Sequence, residues 1–292
     1  RQMCIRDSNM SKMKVLVLVP IGGLANRFYA ISSAISFCQM YGIRLHVIWF
    51  KDWGMGADFH SLLDLAPILS NIKVVDAHWQ DYIYDRPRKR NFWLPYLYQK
   101  VAFPERFYEK DIYNRFSVES LLNSFQKHDS VYLVQFRSFY KNEITFKCLS
   151  PIKPIQQQID ERTKFFEDKH VIGMHIRRGD HTTPTLGSPL SLFISKIEEE
   201  VTLDPNTYFY VASDSFSEKK KLKDLFGERI ITRFDEVRRD NESGIVDALV
   251  ELYTLAHTSK IYGSLASSYS SLAAELYSCL LYTSPSPRDK RQ

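Results

Sequence analysis

The segment KVLVLVPIGGLANRFYAISSAISFCQMYGIRLHVIWF, Lys14 to Phe50, constrains the fold more than any other stretch. Val15 to Val19 is an unbroken β-branched and leucine run, the pattern of a strand covered on both faces. After Gly22 and Gly23, apolar side chains recur at Phe28, Ile31, Ile35 and Cys38, spacings of three, four and three that line one helical face. Gly42 stops that helix, and Leu45 to Phe50 supplies the next strand. Strand, glycine turn, helix and strand form a βαβ unit, and a βαβ unit implies a parallel sheet.

The two ends do not continue this pattern. The chain opens RQMCIRDS and closes TSPSPRDKRQ, with RQ at both extremes, as if one foreign string were joined to each end. Residues 1–9 and 283–292 are therefore expected to be adapter-derived and are left out of the fold reasoning. The expected native start is Met10 or Met13, and the native C-terminus is expected to be lost near Leu280. These ends carry net charges of +1 and +2, so the formal +5 falls to +2 for the body. A near-neutral body gives no electrostatic case for a nucleic-acid partner. Cys38, Cys148 and Cys279 remain, an odd number without metal-like spacing, and read as ordinary buried thiols of a reducing compartment. The apolar run VLVLVPIGGLA is too short for a bilayer and is broken by Pro20, so a cytoplasmic protein without a transmembrane segment is expected.

The middle of the chain, Trp53 to Lys147, is dense in aromatic and basic residues and shows no clean period. Such interleaving suits single-stranded nucleic acid, but the charge balance favours a loop-rich region of half-buried rings covering a cleft. Val131 to Phe136 is a strand in this half. SPIKPIQQQI, with Pro151 and Pro154, marks the crossing into the second half. This divides the body into an N-terminal α/β domain, residues 10–150, and a Rossmann-type domain, residues 151–282.

In the second half strand and helix alternate throughout. HVIGMHI, TYFYVAS, RIIT and KIYGS read as strands. SPLSLFISKIEEEV reads as a helix with Ser188 as N-cap and Pro189 at the first helical position, burying Leu190, Phe193, Ile194, Ile197 and Val201. Further helices are expected over Ser217 to Phe226, GIVDALVELYTLAHT and SSYSSLAAEL. A doubly wound domain of this kind opens its ligand crevice at the carboxyl ends of its strands.

Three of those strand ends are polar. The first carries His175, Arg177, Arg178, Gly179 and Asp180. Arginine presents a fixed fork of donors that matches phosphate oxygens. Successive residues of an extended chain point to opposite sides, so one arginine faces a ligand while the other pairs with a carboxylate and holds the loop. The second is VASDS, where Asp214 is able to accept from a ribose hydroxyl or the donor edge of guanine, or simply to cap a turn. The third is GSLASSYSSLAAEL, a serine-rich turn into a helix start that favours an anion, with Ser270 and Ser271 as hydroxyl donors. Together they converge on a diphosphate-bearing ligand.

GGLANRFYAISSAI, HIRRGD, VASDS and GSLASSYSSLAAEL, in this order, resemble the fucosyltransferase superfamily with the GT-B-like fold. That group holds the α-1,2- and α-1,6-fucosyltransferases and the protein O-fucosyltransferases. The resemblance spans Lys14 to Leu280. It implies an α/β fold of two Rossmann-type domains with parallel sheets facing a cleft, and transfer of fucose from GDP-fucose to a glycan hydroxyl with inversion and without a metal. It assigns Arg177 to the donor diphosphate, and His175, Asp214, Ser270, Ser271, Gly22, Gly23, Asn26 and Arg27 to donor binding. The chain has no Asp-x-Asp pair, the motif by which metal-dependent transferases hold a divalent cation.

Where the α-1,6 enzymes place a glutamate as base, this chain reads HTTPTLG, without a carboxylate. Asp180 is the nearest carboxylate and is taken as the candidate base, with Asp52 and Asp58 as alternatives and a loop-holding partnership with Arg178 as the competing role. The expected catalytic set is Arg177, Arg178 and Asp180, with no metal and no cofactor beyond the donor. The expected partners are GDP-fucose and a glycan such as bacterial surface polysaccharide, with membrane association only through the acceptor. Two other readings stay open: a transferase for another GDP-sugar, and a nucleotide- or glycan-binding protein without turnover.

Overall fold

The computed structural model describes residues 13–67, 69–79, 81, 93–141, 146, 148–178, 187–234 and 238–284. The chain divides into two compact units. The first comprises the described parts of Arg1–Ile21, Tyr29–Phe50 and Ala66–Cys148, the second those of Gly22–Phe28, Lys51–Leu65 and Leu149–Gln292.

The first unit is built on a five-stranded parallel sheet of β1 (Val15–Pro20), β2 (Arg44–Trp49), β3 (Ile72–Asp76), β4 (Glu105–Phe107) and β5 (Ser130–Gln135), in the order β3-β2-β1-β5-β4. The central β1 is buried from Leu16 onward because a parallel strand is covered on both faces. Helix α1 (Leu24–Tyr41) follows the glycine turn and buries its residues almost all round. Ser33 on this helix accepts from Phe139 N–H at 2.8 Å and donates to the Tyr140 carbonyl at 2.7 Å, so a buried hydroxyl is satisfied by pinning a loop.

The aromatic middle is more regular than its composition suggests. It contains α2 (Trp93–Ala102) and α3 (Val118–Lys127). Helix α3 begins at a reciprocal cap in which Ser117 Oγ accepts from Ser120 N–H at 3.0 Å and Ser120 Oγ accepts from Ser117 N–H at 2.8 Å. Its buried Leu121 and Phe125 form the apolar stripe, and Phe125 stacks on Phe37 with ring centroids 6.4 Å apart.

The second unit holds a short antiparallel pair, Leu63–Leu65 with Leu149–Pro151, and a second five-stranded parallel sheet. Its strands are β6 (Val171–Ile176), β7 (Tyr208–Ser213), β8 (Ile230–Ile231), β9 (Lys260–Ser264) and β10 (Leu280–Ser284), ordered β8-β7-β6-β9-β10. Its helices are α4 (Lys153–Thr163), α5 (Leu190–Leu203), α6 (Phe216–Phe226), α7 (Glu242–Ala256) and α8 (Ser268–Leu276). The α/β class with parallel Rossmann-type sheets is thus the one expected from the alternation.

Strand alternation divides the labour of β6. Ile172, Met174 and Ile176 enter a core with Phe193 and Ile197 of α5 and Leu222 of α6. Gly173 faces Leu255 of α7, and His175 faces Tyr269 of α8. Strand order reverses between β6 and β9, the switch point at which such sheets open a crevice.

Two local details differ from the sequence reading. Pro154 does not break the chain but sits in the first turn of α4, where a missing N–H costs nothing. Pro189, not Ser188, is the N-cap of α5, and Ser188 Oγ instead accepts from Leu265 N–H at 2.9 Å. Strand β10 runs into the first two residues of the tail set aside above, with Thr283 and Ser284 paired to Gly263 and Ser264. Residues 1–9, and Gly179 with Asp180, lie outside the described residues.

Candidate functional site

At the switch point a side chain takes over from the ladder. Along β6, pairing with β7 runs over six residues, from Val171 opposite Tyr208 to Ile176 opposite Ser213, whereas pairing with β9 stops at His175 opposite Gly263. Beyond that point the backbone N–H of Arg177 donates to Ser264 Oγ at 2.9 Å, and the same hydroxyl donates to the His175 carbonyl at 3.2 Å. A serine side chain therefore replaces the next rung of the ladder, and the two strands part there.

Arg177 reaches from this point to Asp214, just past the end of β7. Its Nη1 lies 2.9 Å from Asp214 Oδ2, with the arginine side chain 19% and the aspartate side chain 11% exposed. The other oxygen, Oδ1, accepts the Arg178 N–H at 2.7 Å. Asp214 thus ties together two consecutive residues of the HIRR turn. Arg178 turns away to α6, where its Nε meets Glu218 Oε1 at 2.8 Å, while its Nη1 donates to the Arg177 carbonyl at 3.0 Å. Glu218 belongs to the first turn of α6, capped by Ser215, where a carboxylate also complements the helix dipole. The two arginines divide as strand geometry requires, one at the strand ends and one holding the turn.

His175 is buried at the base of this group. Its ring stacks on Tyr269 with centroids 4.9 Å apart and planes 28° apart, and its Nδ1 lies 3.4 Å from Ser267 Oγ. Burial lowers the imidazole from 6.5 to about 4, opposed by the Asp214 carboxylate and aided by the Arg177 guanidinium. The ring is neutral at physiological pH, a fixed polar surface rather than an acid.

The serine-rich turn after β9 brings Ser267 to the head of α8. Ser270 is fully buried and donates to the Ser267 carbonyl at 3.2 Å; Ser271 donates to the same carbonyl at 3.1 Å. Both hydroxyls brace the helix start, and Ser264 and Ser267 are the serines that meet the HIRR turn.

The early glycine loop groups with the second unit as well. Gly22 turns at φ +93°, a conformation that glycine adopts without strain. Asn26 lies over it, and Gly23 accepts the Arg27 N–H at 3.1 Å in the first turn of α1. Arg27 is fully buried: its Nε donates to the Gly22 carbonyl at 2.9 Å and its Nη2 pairs with Asp52 at 3.0 Å. Arg27 is therefore the pin of the loop. Asp52 also accepts the Gly54 N–H at 2.8 Å, and Asp58 pairs with Lys51 at 2.8 Å, so both alternative bases are engaged.

Comparison of the whole chain with solved structures gives matches along nearly its full length. A NodZ α-1,6-fucosyltransferase soaked with GDP-fucose matches with a TM-score of 0.66 at 17% identity, over 91% of this chain and 93% of that one. NodZ from Bradyrhizobium matches at 0.60 and 16%, over 91% and 94%. POFUT1 in complex with GDP matches at 0.60 and 12%, over 94% and 99%. The fold is that of the fucosyltransferases. No protein-family model matches the chain, nor does any curated protein sequence.

Within this fucosyltransferase fold, the residues that build the strand ends extend beyond those to which the sequence reading gave a role. Ser264, Ser267, Tyr269 and Glu218 all contact the arginine and histidine set. Ser264, Ser267 and Tyr269 lie inside the serine-rich motif without having been singled out in it, and Glu218 carried a signal of its own, four residues after Asp214 in the first turn of a capped helix. Among the described residues, no three His, Cys, Asp or Glu side chains gather as a metal site, and no helix is long and apolar enough to cross a membrane. Cys38 and Cys148 are buried and Cys279 half-buried, all as thiols whose ionisation burial disfavours.

Proposed function

We propose that the chain is a glycosyltransferase that moves fucose from GDP-fucose to a glycan hydroxyl, with inversion, without a metal and without a further cofactor. The carrying observation is Arg177, anchored through its backbone to Ser264 at the switch point and through its guanidinium to Asp214. A ligand crevice is expected at that position in a doubly wound sheet, and an always-charged fork of donors suits a diphosphate there. Solved structures of the same fold were obtained with GDP-fucose and with GDP, which supports the choice of donor.

In the reaction, the acceptor oxygen forms a bond to the anomeric carbon as the bond from that carbon to the β-phosphate oxygen breaks. The electron pair leaves on GDP, and Arg177 stabilises the charge that develops there. The acceptor proton passes to a base, for which Asp180 is proposed. Arg178 orders the turn through Glu218, and neutral His175 fixes its floor. Asp214, Ser270, Ser271 and the Gly22 to Arg27 loop complete the proposed donor site. A cytoplasmic location, and an acceptor such as bacterial surface polysaccharide, complete the reading.

The test is a purified Arg177→Ala protein with native circular dichroism, assayed for GDP release from GDP-fucose with and without EDTA. Loss of turnover by about tenfold or more is expected, the size of one charge-assisted hydrogen bond, with no effect of EDTA on the unaltered protein. Turnover at the native rate in the variant would sink the assignment. A panel of GDP, UDP and ADP separates a guanine donor from others.

A further inference from the structure

The connection between β8 and α7 carries Arg238, Arg239, Asp240 and Asn241, and its backbone is held closely. Gly56 N–H donates to the Arg239 carbonyl at 2.9 Å. A Cβ on Gly56 would stand 2.3 Å from the Asp240 carbonyl carbon and 2.4 Å from Asn241 N, so only glycine allows the two backbones to touch. Asn241 then caps α7, its side chain accepting the Gly244 N–H at 2.9 Å. A connection pinned on both sides of Asp240 has little freedom to place its side chains elsewhere.

What it places is Arg239. Its Nη2 lies 3.6 Å from Asp214 Oδ2, the same oxygen that Arg177 Nη1 meets at 2.9 Å. One guanidinium from the end of β6 and one from the segment that enters α7 converge on one carboxylate oxygen. The side-chain exposures order them: Asp214 is 11% exposed, Arg177 19% and Arg239 33%, so the carboxylate is the most covered of the three and Arg239 the most open to solvent. An oxygen anion met by two arginine forks is the arrangement that a phosphate oxygen also satisfies, and planar forks bind it bidentately.

We propose that Arg239 is a second diphosphate-binding arginine, with Asp214 as the shared counter-ion that holds it beside Arg177. The identity of the nucleotide rests on the GDP-sugar reading above; the diphosphate chemistry does not, since any nucleoside diphosphate would meet the same pair. Arg239 donates to non-bridging phosphate oxygens, and its attraction grows as the departing diphosphate gains charge.

The test is calorimetric titration of the unaltered protein, Arg239→Ala and Arg239→Lys with GDP, GMP, guanosine and inorganic pyrophosphate. The alanine variant should lose about tenfold or more in affinity for GDP and pyrophosphate, the loss expected for one charge-assisted hydrogen bond. It should lose less for GMP and nothing for guanosine, and lysine should recover part of the loss as a point charge. An equal loss for guanosine and GDP would show a general disturbance and overturn the proposal, as would unchanged GDP affinity. If the alanine variant fails to fold, Arg239→Gln and Arg239→Lys carry the same comparison. Should the unaltered protein bind UDP or ADP but not GDP, the donor reading fails and the series with that nucleotide still decides Arg239. If Arg177→Ala weakens GDP and Arg239→Ala does not, only Arg239 is overturned; if no diphosphate binds at all, both fall.

Discussion

Replacing His175 by phenylalanine isolates one proton. The imidazole is held to about 4 in the folded protein against 6.5 for the free group, chiefly by burial, with Asp214 opposing and Arg177 reinforcing. Because the folded value is the lower one, neither state is protonated above about pH 7, and His175 leaves stability independent of pH there. Between 6.5 and 4 the unfolded chain binds a proton that the folded chain refuses, so stability falls with falling pH, by at most about 1.4 kcal/mol per pH unit. Below about pH 4 both states bind it and the loss levels off at about 3 kcal/mol. Phenylalanine keeps a ring on Tyr269 and removes the titration. The variant and the unaltered protein should therefore be close at pH 7.5, and the variant should gain relative stability as pH falls to 4. Other carboxylates titrate in the same window but cancel in the difference. Urea unfolding followed by far-ultraviolet circular dichroism at half-unit pH steps measures it, and the shift belongs to the transition of the second unit. A difference that stays flat from pH 7.5 to 4, or a histidine resonance with its midpoint near 6.5, refutes the reasoning.

Two further substitutions probe the supports of the site. Glu218→Ala removes the carboxylate that Arg178 Nε meets at 2.8 Å in a pair whose side chains are 13% and 18% exposed. The expected loss is about 2 kcal/mol, below the range for a fully buried pair because of that exposure, and Glu218→Gln should restore part of it; denaturant midpoints within error of the unaltered protein would remove Glu218 from the account. Gly56→Ala sets a methyl 2.3 Å from backbone that cannot rotate aside. It should cost about 1–3 kcal/mol and raise the donor KM more than it lowers kcat, and a normal melting temperature with a normal KM would show that the Arg238 to Asn241 connection is not clamped.

The sheet architecture was legible because parallel strands, buried on both faces, write themselves as continuous apolar runs; VLVLV lies within an observed strand, and HVIGMHI and TYFYVAS each overrun theirs by one residue, His170 and Thr207. Helix α3 was equally available, since Ser117 and Ser120 cap an apolar stripe, but dense aromatics around it masked the period. Strand β10 was not read because its last two residues fall in the tail left out of the fold reasoning. At the candidate site, Arg177, Asp214 and His175 were readable as polar residues at strand ends. Their partners were not, because Ser264, Tyr269 and Arg239 reach them only through tertiary folding. The pairing of Arg27 with Asp52 was likewise invisible, for a buried ion pair formed across 25 residues leaves no periodic trace.

The Ser264 bridge has a kinetic meaning. Its hydroxyl takes over from the ladder after His175 and Gly263, so the point where β6 and β9 cease to pair is fixed by the protein's own hydrogen bonds. Strand ends fixed in this way need no rearrangement of the backbone, so nucleotide capture at them should follow a single exponential whose rate rises linearly with concentration, without the plateau that a slow rearrangement imposes.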